Sequence, residues 1–427
     1  MSILHHVMPS GRACVLVAAI ACIAAPAPIR GEEPKGSTMS YGQARSFLLR
    51  YTDVVELTDG AGARVAVCPK WQGRVMTSTC NGMEGPSFGF INADFIEAGK
   101  PDLHFNNYGG EDRLWLSPEG GPFSLWFKPG AEQSLANWFT PPAMNEGAFQ
   151  VTSGPNDPFY RMTRRMKLQN ASATEFDLDV TRDVRLLNRG DLEQAFGPQA
   201  AVMMTAAGVK LVAYETVNSV ADRGPAMNKE KGLVSIWILG MLNAGPKTVV
   251  IVPYKPGDEA QLGPVVKSDY FGPVPPDRLK IIPEAVLFRA DGNYRSKLGI
   301  SQKRARSVLG SIDFQQGVLT LVNFTMPDDP TKHDYMNNMW GLPQARPYVG
   351  DVANTYNDGP PEPGKKGMGP FYEIESLSPA EALKTGQSIE HHHRTVHVQA
   401  DAATLARLAR QVLGVDLDAV RSAMFPD

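Results

Sequence analysis

The sequence is 427 residues long, carries a net charge of -3, and is 43% hydrophobic and 20% charged. These values are ordinary for a globular chain that is long enough to bury a large core. The near-neutral charge and the lack of a Lys/Arg-rich run exclude the electrostatic pattern of a nucleic-acid-binding surface, so no nucleic-acid partner is expected. The 40 Gly and 34 Pro residues indicate a chain that turns often, as β-rich proteins do.

The N-terminus has the pattern of an export signal. Arg12 precedes an apolar run rich in small residues at 13–25, and a polar stretch follows. We therefore expect a signal peptide over residues 1–31 and a periplasmic or secreted protein. The run is too short for a membrane anchor, which needs roughly 20 residues. The alternative is a lipoprotein, in which lipidated Cys22 would provide the one expected membrane contact.

Short strands separated by turns follow a flexible lead that we expect over residues 32–49. Residues 64–68 and 74–78, joined by a Pro-to-Gly turn, predict a hairpin. In several later runs apolar and polar residues alternate, which places the apolar side chains on one face of a strand. Further strands are predicted over residues 123–127, 160–169, 175–187, 208–218, 233–242, 248–254, 318–324, 371–375 and 391–398.

Helical patterns are scarce until the end of the chain. Residues 402–413 have apolar positions at helical spacing, with Asp401 as the N-cap and Gly414 as the stop, and a second short helix is expected over 417–424. The Pro-, Gly-, Asn- and Asp-rich stretch 351–368 is predicted to be a long loop. The pattern as a whole predicts one all-β domain over 50–400, built as a large antiparallel two-sheet sandwich, with the helices of 401–427 packed on it.

Two segments carry a resemblance to a known superfamily. Residues 107–119 (NYGGEDRLWLSPE) resemble the Gly-Gly, aromatic, Pro segment of galactose mutarotase-like (aldose 1-epimerase-like) proteins. Residues 372–379 (YEIESLSP) and 383–387 (LKTGQ) resemble the closing strand of that superfamily, with its Glu and the turn into the last strand. The resemblance spans roughly residues 50 to 400, favours an exported bacterial branch, and implies the superfamily's β-supersandwich fold.

The same resemblance implies acid–base chemistry at the anomeric centre of a sugar. A Glu of the closing strand acts as general base in the superfamily's enzymes, and that role falls on Glu375. Glu373 lies two residues away on the same face, where it would raise the pKa of Glu375. The superfamily's two histidines are missing: one position has Asn-Trp-Phe at 137–139, and the other has Arg182. We assign Arg182 to a sugar oxygen and His104 as the substitute acid.

Sugar binding needs aromatic faces for the apolar C–H surfaces and polar side chains for the hydroxyls. The candidate platforms are Trp115, Trp126, Trp138 and Trp340, with Trp340 the best of them, although a single Trp more often belongs to a core. The expected hydroxyl-binding residues cluster in the two motifs and in the segment 350–359. They are Asn107, Glu111, Asp112, Arg113, Asp351, Asn354, Asn357, Asp358 and Glu373.

A histidine run near the end of the chain suggests a metal site. His391, His393 and His397 share one face of a predicted strand, and three imidazoles can hold zinc or manganese. The alternative is a closing strand with polar histidines on its outer face. Beyond this divalent metal we assign no cofactor.

These observations lead to a carbohydrate-active protein with a sugar or oligosaccharide as partner. The leading hypothesis is an isomerase that is epimerase- or mutarotase-like and acts at or near the anomeric centre. The first alternative is a non-catalytic carbohydrate-binding module that kept the cleft and lost the histidines. The second is a metal-assisted glycan lyase or hydrolase that uses the histidine run.

Overall fold

Antiparallel strands dominate the computed structural model, which describes residues 39–154, 157–362 and 364–426. The described residues belong to one compact unit. The expected signal peptide over 1–31, the start of the lead and Cys22 lie outside them. The strands are β1 Val55–Thr58, β2 Arg64–Cys68, β3 Arg74–Thr79, β4 Arg113–Ser117, β5 Gln150–Val151, β6 Tyr160–Gln169, β7 Glu175–Leu186, β8 Lys210–Asp222, β9 Ser235–Asn243, β10 Thr248–Pro253, β11 Leu279–Ile281, β12 Ala285–Arg289, β13 Ser296–Ser301, β14 Val308–Asp313, β15 Val318–Phe324, β16 Asp351–Asn357, β17 Phe371–Leu377 and β18 Ser388–Gln399.

Helices are short and lie between or after the strands. They are α1 Tyr41–Leu48, α2 Ala93–Ala98, α3 Pro142–Asn145, α4 Arg189–Phe196, α5 Pro198–Met204, α6 Glu259–Leu262, α7 Ala402–Leu413 and α8 Leu417–Met424, with 3-10 turns at Leu135–Asn137 and Pro330–Lys332. None of the helices in the described ranges is long and apolar enough to cross a membrane.

Three antiparallel sheets organise these strands. The ten-stranded sheet has the order β11-β12-β10-β14-β15-β18-β8-β7-β6-β5, the five-stranded sheet β13-β16-β17-β9-β4, and the small sheet β1-β2-β3. The protein is therefore mostly β and antiparallel, as the sequence predicts. The alternation in β7 works as expected, because Phe176, Leu178 and Val180 are buried while the residues between them are more exposed.

One face of the five-stranded sheet packs against the ten-stranded sheet. Apolar residues of β4, β9 and β17 join those of β7, β8 and β15 in the main core. Hydrogen bonds also cross this interface: the hydroxyls of Ser311 and Tyr372 are 2.7 Å apart, and Ser376 Oγ lies 2.7 Å from His391 Nε2. Because β17 alternates, Glu373 and Glu375 point to the opposite face of the five-stranded sheet.

The C-terminal helices cover the other face of the ten-stranded sheet. Leu405, Leu408 and Val420 share a second core with Leu319 and Val396 of the sheet. The Asp401 side chain accepts a hydrogen bond from the Thr404 N–H, and Gly414 ends α7 in the left-handed region that favours glycine. Helices α7 and α8 therefore pack on this face of the ten-stranded sheet.

The structure differs from the sequence-based expectations in four segments. The flexible lead expected over 32–49 contains α1, whose Tyr41 and Leu48 are fully buried. Residues 123–127 form turns rather than a strand, and α4 and α5 interrupt the sheet where no helix was predicted. The loop expected over 351–368 begins with β16, since the polar residues of that strand are buried between β13 and β17.

Candidate functional site

A cavity of about 310 Å³ lies on the face of the five-stranded sheet that is turned away from the ten-stranded sheet. Its floor comes from β4, β9, β13, β16 and β17, and its walls come from the loops on both sides of β4, the loop between α6 and β11, and the loops after β15 and β16. The volume is at the lower end of the range for small-molecule sites, about 300 to 1,000 Å³. Nine aromatic side chains line it: Phe105, Trp115, Trp138, Trp237, Tyr270, Phe271, Trp340, Tyr356 and Phe371.

The tryptophans form a connected aromatic wall. The rings of Trp115 and Trp237 meet edge to face with centroids 5.7 Å apart, and those of Trp138 and Trp340 stack with centroids 6.5 Å apart. Trp115 and Trp237 are buried in the sheet, whereas Trp138 and Trp340 come from loops and are partly exposed. The loop tryptophans therefore offer ring surface to a ligand, and the strand tryptophans fix the floor beneath it.

Two buried ion pairs lie across the floor. Arg113 Nη2 donates to Glu373 Oε1 at 2.6 Å, and the guanidinium sits 4.1 Å from the centre of the Trp115 ring. Lys297 Nζ donates to Glu375 Oε2 at 3.1 Å, and the ammonium lies 4.8 Å from the Trp237 ring centre. Each carboxylate is thus matched with a cation that is itself held against an aromatic face.

Glu375 lies one hydrogen bond below the cavity. Its side chain is fully buried and is not part of the lining, and Trp237 Nε1 donates to its Oε2 at 2.9 Å. Oε1 has no hydrogen-bond partner among the described residues. Burial raises the pKa of the Glu375 carboxyl to about 7; the Lys297 charge lowers it and the Glu373 charge raises it. Protonation of Glu375 is therefore more favourable than protonation of an exposed glutamate.

Glu119 is a third carboxyl, and it lines the cavity directly. It follows Pro118 at the end of β4, where the Trp138 indole N–H donates to its Oε1 at 2.8 Å and its own N–H donates to Asn338. Burial raises the pKa of the Glu119 carboxyl more than the nearby Lys297 charge lowers it. Protonation of Glu119 is therefore more favourable than protonation of an exposed glutamate.

The lining includes four of the predicted substrate-binding residues. Arg113, Trp115, Trp340 and Glu373 all line the cavity, so both sequence motifs lead to one site.

Two further predicted residues lie one contact behind the cavity wall. Asp351 accepts from the hydroxyl of Tyr270, and Asp358 Oδ1 accepts from the hydroxyl of Tyr356 at 2.7 Å. Both tyrosines line the cavity, so these aspartates hold lining residues in place.

The remaining predicted amides hold backbone rather than facing the cavity. The side-chain N–H groups of Asn107, Asn354 and Asn357 donate to the backbone carbonyls of Met368, Leu298 and Tyr294, at 3.1, 3.2 and 2.8 Å. These N–H groups are therefore engaged with the backbone, and none of the three residues lines the cavity.

His104 and Arg182 are not part of the cavity lining either. The Nδ1 atom of His104 lies 2.6 Å from the Trp138 carbonyl, and its ring stacks on Phe139 behind the wall. Arg182 is fully buried between the sheets, where it pairs with Asp112 and donates to Asn218 Oδ1 at 2.6 Å. Neither side chain lines this cavity, so the proton-donating role predicted for His104 and the sugar contact predicted for Arg182 have no counterpart there.

Glu111, Asp112 and the histidines form a polar layer between the two large sheets. His397 Nε2 lies 2.8 Å from Glu111 Oε1, and Ser376 Oγ lies 2.8 Å from His393 Nδ1. His391 shares that Ser376 hydroxyl.

The histidines share one face, as predicted, but this is the interior face of β18 rather than an outer one. Across the described ranges no group of three or more His, Cys, Asp or Glu side chains is arranged to hold a metal. The metal site predicted at His391, His393 and His397 is therefore corrected: the rings are engaged by Ser, Thr and Glu side chains.

Sequence reasoning missed Glu119, Trp237, Arg295 and Lys297, which all line the cavity, whereas Trp138 was among the candidate platforms. A usable signal existed for two of the missed residues, because Arg295 and Lys297 are basic residues two positions apart and therefore share one side of an extended chain. Glu119 was the last residue of the first motif. Trp237 gave no such signal, since a Trp within an apolar strand more often belongs to the core.

Comparisons with known proteins give distant structural neighbours and one sequence family. No curated protein sequence matches the chain. The Slr1438 protein of Synechocystis sp. PCC 6803 is similar at a TM-score of 0.45 and 10% identity, with 82% of this chain and 96% of that chain covered. A protein of Escherichia coli K12, provisionally named an aldose 1-epimerase, is similar at a TM-score of 0.46 and 11% identity, with 82% and 99% covered. Residues 39–424 match the sequence profile of a family of unknown function, DUF6786, and the chain belongs to that family.

Proposed function

We propose that this chain is an exported carbohydrate-active protein of galactose mutarotase-like supersandwich fold, and that it binds a sugar in the aromatic cavity. The observation that carries the proposal is the combination of partly exposed Trp138 and Trp340 with a carboxyl group, Glu119, at the same cavity wall. Aromatic rings bind the apolar C–H faces of a pyranose, and the charged groups of the floor bind its hydroxyls.

The cavity also supports acid–base chemistry at the anomeric centre. Opening a pyranose ring breaks the bond between C1 and the ring oxygen, removes the proton of the anomeric hydroxyl and adds a proton to the ring oxygen. Glu119, whose pKa is raised by burial, supplies the proton to the ring oxygen. Glu373 accepts the other proton: Arg113 holds its Oε1, and Oε2 has no hydrogen bond to the described residues. Reversal of both transfers on the other face gives the second anomer.

Glu375 has a positioning role in this scheme, although the sequence made it the expected base. It is fully buried beneath the lining and acts through Lys297, whose ammonium it keeps charged and directed along the floor. Burial alone would lower the pKa of Lys297, but the charges of Glu375, Glu119 and Glu373 raise it above its ordinary value. The ammonium is therefore available as a donor to a sugar oxygen.

Polarimetry on freshly dissolved neutral hexoses, combined with calorimetric titration, tests both parts of the proposal. Glu119→Gln should lower the rate of anomer interconversion by roughly 10²- to 10⁴-fold, the scale for a positioned acid–base group, with little loss of affinity. Glu390→Gln is the matched control, because Glu390 is exposed on β18. Binding without interconversion by the wild-type protein contradicts the catalytic part, and lack of binding by any sugar contradicts the whole proposal.

A non-catalytic binding protein is the second candidate, and one observation favours it. The described lining residues include no histidine, and both carboxylates of β17 are engaged by cations. Under this alternative Glu119→Gln changes affinity alone.

A further inference from the structure

Arg295 is the cation of the cavity that lacks a carboxylate partner. It directly precedes β13 and lies on the same side of the chain as Lys297, two residues later. Its guanidinium stacks 4.0 Å from the centre of the exposed Phe271 ring. Among the described residues no carboxylate lies within ion-pair distance of Arg295, and no hydrogen bond engages it, whereas Arg113 is bound to Glu373. Its donors therefore remain available to a ligand.

Lys297 adds unused donors next to Arg295. An ammonium has three N–H donors, and the described contacts of Lys297 use one of them, toward Glu375. The ring of Trp237 covers one side of the ammonium at 4.8 Å. A ligand group bound at this end of the floor would meet both a guanidinium and an ammonium.

The ion pairs of the cavity leave Arg295 unpaired. Arg113 pairs with Glu373 and Lys297 pairs with Glu375, whereas no described carboxylate lies within ion-pair distance of Arg295. One unpaired guanidinium fits one planar carboxylate. A phosphate dianion would bring a second negative charge toward the three carboxyl groups of Glu119, Glu373 and Glu375.

We propose that the cavity recognises an acidic sugar, and that Arg295 with Lys297 binds the carboxylate of a hexuronate-type residue. The inference rests on the proposed function, since it presumes a sugar in this cavity. A guanidinium meets a carboxylate through two parallel hydrogen bonds, which fixes the orientation of the ring as well as the affinity. The Phe271 ring holds the guanidinium plane in place for that contact.

Calorimetric titration with three matched ligands tests this inference: a neutral hexose, the hexuronate of the same configuration, and the corresponding hexose 6-phosphate. The hexuronate should bind about 10- to 100-fold more tightly than the neutral hexose, the scale of hydrogen bonds to charged groups. Arg295→Gln should abolish that difference, because the amide carries no charge to pair with the carboxylate. Arg410→Gln, on exposed α7, is the charge-matched control and should leave the difference unchanged.

The outcomes separate this inference from the proposed function. Equal binding of neutral and acidic sugars, or a preference that survives Arg295→Gln, overturns the carboxylate site and leaves sugar binding in place. A preference for the 6-phosphate over the hexuronate overturns the assignment to a carboxylate. If none of the three ligands binds, the proposed function itself fails, and the inference fails with it.

Discussion

Lys297 on β13 reaches across β16 to donate a hydrogen bond to Glu375 on β17 at 3.1 Å, and both side chains are almost completely buried. A buried ion pair is costly to form because both charges leave water, and it is costly to break because the remaining charge is left unmatched. Such a pair is a weak reason for stability but a strong constraint on the geometry of the floor. It links the far edge of the five-stranded sheet to the strand that carries both predicted glutamates.

We predict that the two members of this pair are energetically coupled. Lys297→Met should lower the free energy of unfolding by about 3 to 5 kcal/mol at pH 8, because Glu375 loses its partner cation and must either bind a proton or stay buried as an unmatched carboxylate. The double variant Lys297→Met with Glu375→Gln should cost less than the single Lys297→Met variant. Urea unfolding of the four proteins in a double-mutant cycle measures the coupling. Additive losses would contradict the pairing.

Glu375 should make the protein less stable as pH rises. Its pKa is about 7 in the folded protein against an ordinary 4.5, so the folded state holds a proton that the unfolded state has lost between these values. Its contribution to the free energy of unfolding should therefore fall by about 2 to 3 kcal/mol from pH 5 to pH 8. Glu375→Gln should remove this slope, and exposed Glu390→Gln should not. Unfolding curves at pH 5 and pH 8 measure this change in stability. An unchanged slope in Glu375→Gln would count against the raised pKa.

His393 should make the protein less stable as pH falls, the opposite of the effect of Glu375. Burial lowers the pKa of His393 from 6.5 to about 4, the nearby Arg182 charge lowers it as well, and Asp112 opposes the shift. The unfolded chain therefore binds a proton that the folded protein excludes, and stability should fall by about 2 kcal/mol or more as pH drops from 6.5 to 4. His393→Asn should flatten this acid loss.

The neighbouring His392 is a control for His393, because its effect on stability should have the opposite pH dependence. Its hydrogen bond to Glu215 raises its pKa, so its contribution to stability is present in acid and is lost as pH rises through the folded pKa. His392→Asn should therefore make the acid loss of stability steeper. Equal pH profiles for the two variants would contradict the assignment of His393 to the dry interior.

Local patterns in the sequence were sufficient to predict much of the fold. The bounds of β6, β15, α7 and α8 agree with the predictions, because alternation, apolar helical spacing and the Asp401 cap are all properties of neighbouring residues. The same alternation correctly put Glu373 and Glu375 on one face. Helices α4 and α5 escaped prediction, since their short sequences include Gly190 and Pro198 and little apolar periodicity.

The candidate site could be predicted only in part because it is assembled from distant segments. Strands β13, β16 and β17 pair across long sequence separations, so nothing local indicates that Lys297 meets Glu375. Trp138 and Trp340 reach the cavity on loops more than 200 residues apart. The histidines show the opposite error. The sequence correctly placed them on one strand face, but Ser376 and Glu111 lie opposite that face and hydrogen-bond to the rings, so the face is part of the interior.

We predict that the N-terminal residues direct export of the protein. The basic Arg12 and the apolar run 13–25 resemble a secretory signal, and Cys22 offers the lipoprotein alternative. Expression in a bacterial host with an intact export pathway should yield mature protein that begins between about residues 22 and 35. Mass spectrometry of the periplasmic fraction measures this terminus, and a lipid adduct on Cys22 would identify the lipoprotein form. Soluble cytoplasmic protein with intact Met1 would contradict export.

Trp340 should contribute directly to ligand affinity. It is partly exposed, lines the cavity, and stacks on Trp138 with ring centroids 6.5 Å apart, so its free face is available to the C–H face of a sugar. Trp340→Ala should weaken binding by about 1 kcal/mol, or about fivefold, and Trp340→Phe should restore part of it because an aromatic face returns. Trp71→Ala is the matched control, since Trp71 stacks on Tyr108 and does not line the cavity. Calorimetric titration of a bound sugar compares the three variants, with thermal unfolding as a check on folding. Equal losses from Trp340→Ala and Trp71→Ala would mean that the sugar binds elsewhere.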